Sequence, residues 1–321
     1  MRINQMKEYG FYRGINLGGW LSQCDYSEER LNGFITEEDF VKIASWGLDH
    51  VRVPVDYNIL ENPDGTICES GFARLTWAHA QCLKNGLKLV IDLHKTAGFS
   101  FDDYGEDEHG FFESEAYQER FYRLWEALAR GFGSCPESIA FELLNEVTDA
   151  SYIDAWNRIV RTCIARIRLY APETLILVGS YHNNSALTVG ALDAPYDDRV
   201  VYNMHCYEPL VFTHQGAYWT DAIDPAKRIP FAQAGIDEAY FEELFSGAIA
   251  KAEQEQTGLY CGEYGCINLI SPEDTLAWLR TIHAVYERYS IARCVWNYKE
   301  LDFGLSDARL DGVREELLTL L

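Results

Sequence analysis

Short apolar runs rich in β-branched residues alternate along this chain with longer stretches in which apolar residues recur every three or four positions. The runs predict strands at 12–17, 50–54, 87–93, 139–144, 174–179, 200–205, 258–262 and 292–297. The stretches between them predict helices at 36–46, 72–85, 114–130, 151–169, 184–191, 238–255, 272–289 and 313–320. Helix starts are marked where Thr36 precedes Glu37, Glu38 and Asp39, and where Ser271 precedes Pro272. Strands this continuously apolar must be covered on both faces, as parallel strands are. Eight βα units in a row predict a closed (β/α)8 TIM barrel, an α/β fold. An open doubly wound sheet is the competitor, but Gly14, Gly18 and Gly19 do not have the dinucleotide-binding spacing.

Nothing in the sequence reads as a linker or repeat, so a single catalytic-size domain over 1–321 is expected. Two connections are unusually long, 95–113 after the third strand and 208–237 after the sixth. Both follow strand C-termini, the end where such barrels place their sites. They carry Phe99, Phe101, Tyr104, Phe111, Phe112, Phe212, Tyr218, Trp219 and Phe231 and are read as walls of a substrate cleft. Across the chain, 8 Trp, 20 Tyr and 16 Phe exceed the needs of packing, and aromatic rings stack well on the apolar faces of sugars.

The net charge of −23 argues against nucleic acid or an anionic membrane surface as partner and suits a neutral substrate. Nine scattered cysteines form no disulfide framework and point to a reducing compartment. The first residues hold no apolar leader segment, and no run is long enough to span a membrane. A cytoplasmic location is expected, or a secreted one if a leader has been removed.

Polar groups gather at the predicted C-terminal strand ends: Asn16, Arg52, His94, Asn145, Glu146, His205, Tyr207, Glu263 and Trp296. Singly, each has a bland explanation. Arg52 could pair with a neighbouring acid, His94 could be a satisfied core histidine, and Trp296 could cap the barrel. Together they deliver a polar or aromatic group from nearly every strand to one rim. Two carboxylates on such a rim, Glu146 and Glu263, are what hydrolysis of a glycosidic bond requires. The amide of Asn145 beside the first suits a sugar hydroxyl.

The runs Arg13-Gly14-Ile15-Asn16-Leu17-Gly18-Gly19-Trp20, His50-Val51-Arg52-Val53-Pro54, Leu143-Leu144-Asn145-Glu146, His205-Cys206-Tyr207, Cys261-Gly262-Glu263-Tyr264-Gly265 and Val295-Trp296-Asn297-Tyr298 resemble glycoside hydrolase family 5, most closely its bacterial endoglucanases. The resemblance implies a retaining hydrolase of β-1,4 bonds in cellulose-like or mixed-linkage β-glucans and cello-oligosaccharides. It implies Glu146 as acid/base and Glu263 as nucleophile, with Arg52 and Tyr207 keeping Glu263 ionised. It further implies Asn145 on the sugar 2-hydroxyl, His94 and His205 as donors around that sugar, Trp296 as its stacking floor, and Asn16, Trp20 and Trp219 at more distant sugars. No cofactor and no metal are implied. The connection 208–237 is shorter than the subdomain some relatives insert there, which leaves open other family specificities such as exo-β-1,3-glucanase, β-mannanase or β-glucosidase. A non-catalytic carbohydrate-binding barrel would have no need of both glutamates. Schiff-base chemistry at Lys95 lacks the phosphate-binding glycines that accompany it. The sequon Asn183-Asn184-Ser185 has no role in a cytoplasmic protein.

Overall fold

The computed structural model describes residues 3–102 and 109–321. Eight parallel strands close into a barrel in sequence order. They are β1 (Arg13–Asn16), β2 (His50–Asp56), β3 (Lys88–Lys95), β4 (Ile139–Glu142), β5 (Leu175–Gly179), β6 (Val200–Cys206), β7 (Leu259–Tyr264) and β8 (Ala292–Val295). Closure comes from β8 pairing with β1, Cys294 opposite Gly14 and Val295 opposite Ile15. Helices Glu37–Ser45, Glu69–Lys84, Glu115–Phe132, Ile153–Ile167, Glu238–Glu255 and Pro272–Tyr289 surround it.

The helices begin where capping residues stop the preceding loop. Ser114, Asp237 and Ser271 each accept a hydrogen bond from a first-turn backbone N–H, and Thr36 and Asp39 form a capping box. Their apolar faces pack on the outward residues of the strands to make the main core. A smaller core plugs the barrel itself, built from Met6, Phe11, Val90, Ala140, Leu175, Leu177, Val201, Tyr260 and Cys294. Two residues further along the same strands, the inward positions turn polar: Asp92 after Val90, Glu142 after Ala140, Asn203 after Val201. The period-2 alternation of a strand therefore stacks a charged layer on an apolar one.

All eight expected strands form. The segment 184–191 differs: it is a 3-10 turn, Ala186–Ala191, preceded by left-handed residues rather than an α-helix. Two short helices, Gln5–Glu8 and Glu28–Gly33, have no counterpart in the sequence reading because neither is long enough to show a helical period. The strand expected at 292–297 stops at Val295, where the chain turns through a cis Trp296–Asn297 bond.

The expected cleft walls are only partly so. Phe99, Phe111, Phe112 and Phe212 are buried and pack their own loops against the core. Phe101 is half-buried and meets His94 edge-on, and Tyr218 and Trp219 stand exposed. Tyr104 lies outside the described residues. All nine cysteines are free, six of them buried, and burial pushes the Cys261 thiol up to about 12. Among the described residues no helix is long and apolar enough to cross a membrane.

Candidate active site

Arg52 organises the rim from inside the barrel. It is fully buried, and its guanidinium reaches five side chains. Nε and Nη2 grip Glu142 at 2.7 and 2.8 Å, Nη1 donates to Glu263 Oε1 at 2.7 Å and to Asn16 Oδ1 at 2.9 Å, and Nη2 also donates to Asn145 Oδ1 at 2.9 Å. Asp92 Oδ2 lies 3.0 Å from Nη2. Burial opposes the positive charge, but Asp92, Glu142 and Glu263 overcome it and raise Arg52 well above its ordinary value. A planar fork with five donors is the side chain that can serve so many acceptors at once.

Glu263 sits on β7, its carboxylate held from two sides. Arg52 takes Oε1, and Tyr207 donates its hydroxyl to Oε2 at 3.0 Å. Glu146, four residues past β4, has neutral partners only. Asn183 Nδ2 donates to Oε2 at 3.0 Å, and His205 Nδ1 lies 2.8 Å from Oε1. Glu146 has φ +41°, a left-handed conformation that side chains other than glycine rarely adopt and that tends to collect at functional sites.

His205 reaches both carboxylates because the β6–β7 register slips between Met204 and His205, which brings His205 opposite Glu263. Its Nδ1 lies 3.7 Å from Glu263 Oε2 as well. One oxygen from each glutamate and a ring nitrogen of His205 lie within 4.8 Å of one another. Burial pushes His205 down to about 4, so the ring is neutral. Asn184 Nδ2 donates to Nε2 at 3.3 Å, which leaves the proton on Nδ1, facing Glu146.

Burial pushes both glutamates up, each to about 7; the charge of Glu142 adds to the rise at Glu146, and that of Glu146 to the rise at Glu263. Two like charges this close do not ionise together readily, so the pair holds a proton and titrates as a unit. The hydrogen bonds decide where it sits. Arg52 and Tyr207 stabilise a charged Glu263, and only neutral donors face Glu146.

Asn145 and His94 present unspent polar atoms. Asn145 Nδ2 and His94 Nε2 are buried and have no partner among the described residues. His94 Nδ1 contacts Asp92 Oδ2 at 2.6 Å, and burial keeps the ring neutral. Its Nε2 is therefore an acceptor, where the sequence reading expected a donor. Trp296 stacks parallel to His94, centroids 6.0 Å apart, and lies so near Gly18 that an added Cβ would come within 2.5 Å of the indole. Trp219 is 46% exposed and meets His214 edge-on, which in turn packs on Tyr207.

Three residues expected at sugars have their polar hydrogens engaged by protein groups. Trp20 is buried, donates its indole N–H to Leu31 O, and packs on Trp77. Asn16 spends its amide on the carbonyls of Gly262, Cys294 and Val295 and supports Arg52. The one ring proton of His205 is directed at Glu146. Lys95 is paired with Asp102 at 2.7 Å.

The sequence reading missed Glu142, Asp92, Asn183 and Asn184. For the first two the signal was present: a lone acid inside an apolar strand must have a buried cationic partner. For the asparagines, the paired Asn residues after β5 read only as a sequon.

A family model described as Cellulase (glycosyl hydrolase family 5) matches residues 12–302. Cellodextrinase A of Ruminococcus flavefaciens is 59% identical over 90% of this chain and 85% of its own length. Endoglucanase C of Acetivibrio thermocellus is 35% identical over 97% of this chain and 98% of its own. Among solved structures, the endoglucanase Cel5A of Thermotoga maritima superposes with a TM-score of 0.83 at 24% identity, covering 100% of both chains. A closed eight-stranded barrel bearing two facing glutamates, matched over nearly its whole length by that model, belongs to glycosyl hydrolase family 5 and is a glycoside hydrolase acting on carbohydrate.

Proposed function

We propose that this chain is a retaining β-glucanase that hydrolyses β-1,4 bonds of cello-oligosaccharides and of soluble cellulose-like or mixed-linkage glucans, with residues 1–321 as one catalytic unit. The observation that carries this reading is the pair Glu146 and Glu263, oxygens within 4.8 Å, with the guanidinium of Arg52 bonded to Glu263 and neutral donors bonded to Glu146. Carboxylates of retaining enzymes stand about 5–5.5 Å apart, and those of inverting enzymes stand farther apart to admit a water.

Glu263 attacks the anomeric carbon as a carboxylate. Glu146 gives its proton to the departing glycosidic oxygen. A glycosyl ester on Glu263 results, and Glu146, now ionised, takes a proton from the water that opens it. Asn145 Nδ2 is an unspent donor for the 2-hydroxyl of the sugar in the cleavage site, and His94 Nε2 an unspent acceptor for a neighbouring hydroxyl. Trp296 offers that sugar a ring face. The likeness to Cellodextrinase A supports short β-1,4 chains among the substrates, and the likeness to Endoglucanase C supports internal cleavage of longer ones.

The test is Glu263→Ala with azide. The variant is expected to lose hydrolysis, and azide is expected to restore it on an activated aryl cellobioside with an inverted α-glycosyl azide as product. Parent-like hydrolysis by the variant, or a β-azide, refutes the mechanism. A panel of cello-oligosaccharides, carboxymethylcellulose, barley β-glucan, laminarin, glucomannan and xylan then reads the linkage. A clear preference for laminarin or glucomannan refutes the β-1,4-glucan assignment.

A further inference from the structure

The connection after β5 holds three successive non-glycine residues in the left-handed region: His182 at φ +51°, Asn183 at φ +56° and Asn184 at φ +55°. A run of this kind is costly for L-residues, and asparagine tolerates it best. It persists because it is tied down on both sides. The His182 and Asn183 N–H groups donate to the carbonyls of Thr148 and Val147, the two residues that follow Glu146. Ser185 bridges to His205. Behind the turn, Gly179 leaves space for the Asn184 amide, since a Cβ there would lie 2.1 Å from Asn184 Oδ1.

The two side chains of this turn meet both proton-handling groups. Asn183 Nδ2 reaches Glu146 Oε2 at 3.0 Å, and Asn184 Nδ2 reaches His205 Nε2 at 3.3 Å. Among the described residues, the ionisable neighbours of Glu146 come from other elements. His205 and Tyr207 come from β6 and its end, Glu263 from β7, Arg52 from β2, Asp92 from β3, Glu142 from β4 and Asp102 from the connection after β3. Of the influences that favour the carboxylate form of Glu146, Asn183 precedes even Arg52.

We propose that Asn183 is a positioning residue for Glu146: from this turn it donates to Oε2 and favours the carboxylate, and Asn184 beside it fixes the ring nitrogen through which His205 reaches Oε1. In the first half of the reaction the amide stabilises the carboxylate left when the proton departs. In the second half it keeps Glu146 aimed at the incoming water. The inference rests on the reading of Glu146 as acid/base.

The experiment is the pH dependence of kcat/KM on cellotetraose for Asn183→Gly, Asn183→Asp and Glu146→Gln. Glycine relieves the positive φ, so Asn183→Gly keeps or raises the melting temperature and removes only the amide. The basic limb is expected to rise by roughly half to one pH unit in that variant, from the loss of one partly exposed hydrogen bond to a carboxylate. Asn183→Asp, which puts a like charge beside Glu146, is expected to raise it further. With an aryl cellobioside whose leaving group needs no protonation, glycosylation is expected to stay near the parent rate. A basic limb that stays in place, or a loss equal at every pH, overturns the proposal. If Glu146→Gln itself leaves the limb on cellotetraose intact, the acid/base assignment falls instead.

Discussion

Replacing Tyr207 by Phe removes one hydrogen bond and almost nothing else. The ring packs edge-on against His214 and Phe303, with centroids 5.0 and 5.7 Å away, and phenylalanine keeps both contacts. What is lost is the hydroxyl donated to Glu263 Oε2 at 3.0 Å. A hydrogen bond to a charged group contributes about 1.5–3 kcal/mol, and one pKa unit corresponds to about 1.36 kcal/mol. The upper bound on the shift is therefore about two units. Arg52 remains on Oε1 and carries part of the load, which brings the expectation to about one unit. The sign follows from the form being stabilised. The hydroxyl favours ionised Glu263, so its removal makes the carboxylate easier to protonate. The acidic limb of kcat/KM, where activity disappears as Glu263 gains a proton, moves to higher pH. Below that limb the variant loses about tenfold relative to the parent, and on the plateau the loss is smaller. A pH series on an aryl cellobioside reads this directly, with thermal melting as the control for folding. An acidic limb unchanged within a few tenths of a unit, or one that moves down, refutes the assignment of Tyr207 to the nucleophile's charge.

Glu146→Ala is expected to lose about 10²–10⁴-fold on cello-oligosaccharides. Aryl glycosides with good leaving groups should still glycosylate the protein and then stall, and equal losses on both substrate types contradict the acid/base role. Trp219→Ala removes an exposed ring beside His214. Aromatic contacts contribute about 1 kcal/mol, so KM for long glucans should rise about fivefold with turnover of a short aryl glycoside unchanged. An equal loss on both would show that Trp219 only packs its loop.

The barrel and the two glutamates were legible in the sequence because both follow from periodicity and position. Each strand announced itself by a short apolar run, and each glutamate stands near a run's end. The interior was less legible. Arg52 was read as a partner of Glu263, and it is, yet its two-pronged contact goes to Glu142. Sequence spacing says which face of a strand a residue takes, and the neighbour it meets is set by barrel register. Trp20 and Asn16 were expected at sugars on the strength of the family resemblance, and the structure spends them on packing and on Arg52. Loop aromatics divided in the same way. Phe111 and Phe112 anchor the third connection, and Phe101 reaches His94. The left-handed turn at 182–184 left no trace in hydropathy, because its role is set by backbone angles and by two amides.

The contacts of Arg52 carry a lesson for how such an enzyme changes its tastes. Every one of its side-chain partners lies on a strand, or in the case of Asn145 three residues beyond one. Among the described residues, none belongs to the connections 95–113 or 208–237, where Phe101 and Trp219 stand. The chemical engine and the shape of the cleft are thus separate modules on a shared frame. Loops can be exchanged, lengthened or trimmed to admit another polysaccharide without removing a partner of Arg52. A single exchange inside the frame has the opposite reach: altering Glu142, which meets no solvent, would be felt at the nucleophile through one guanidinium.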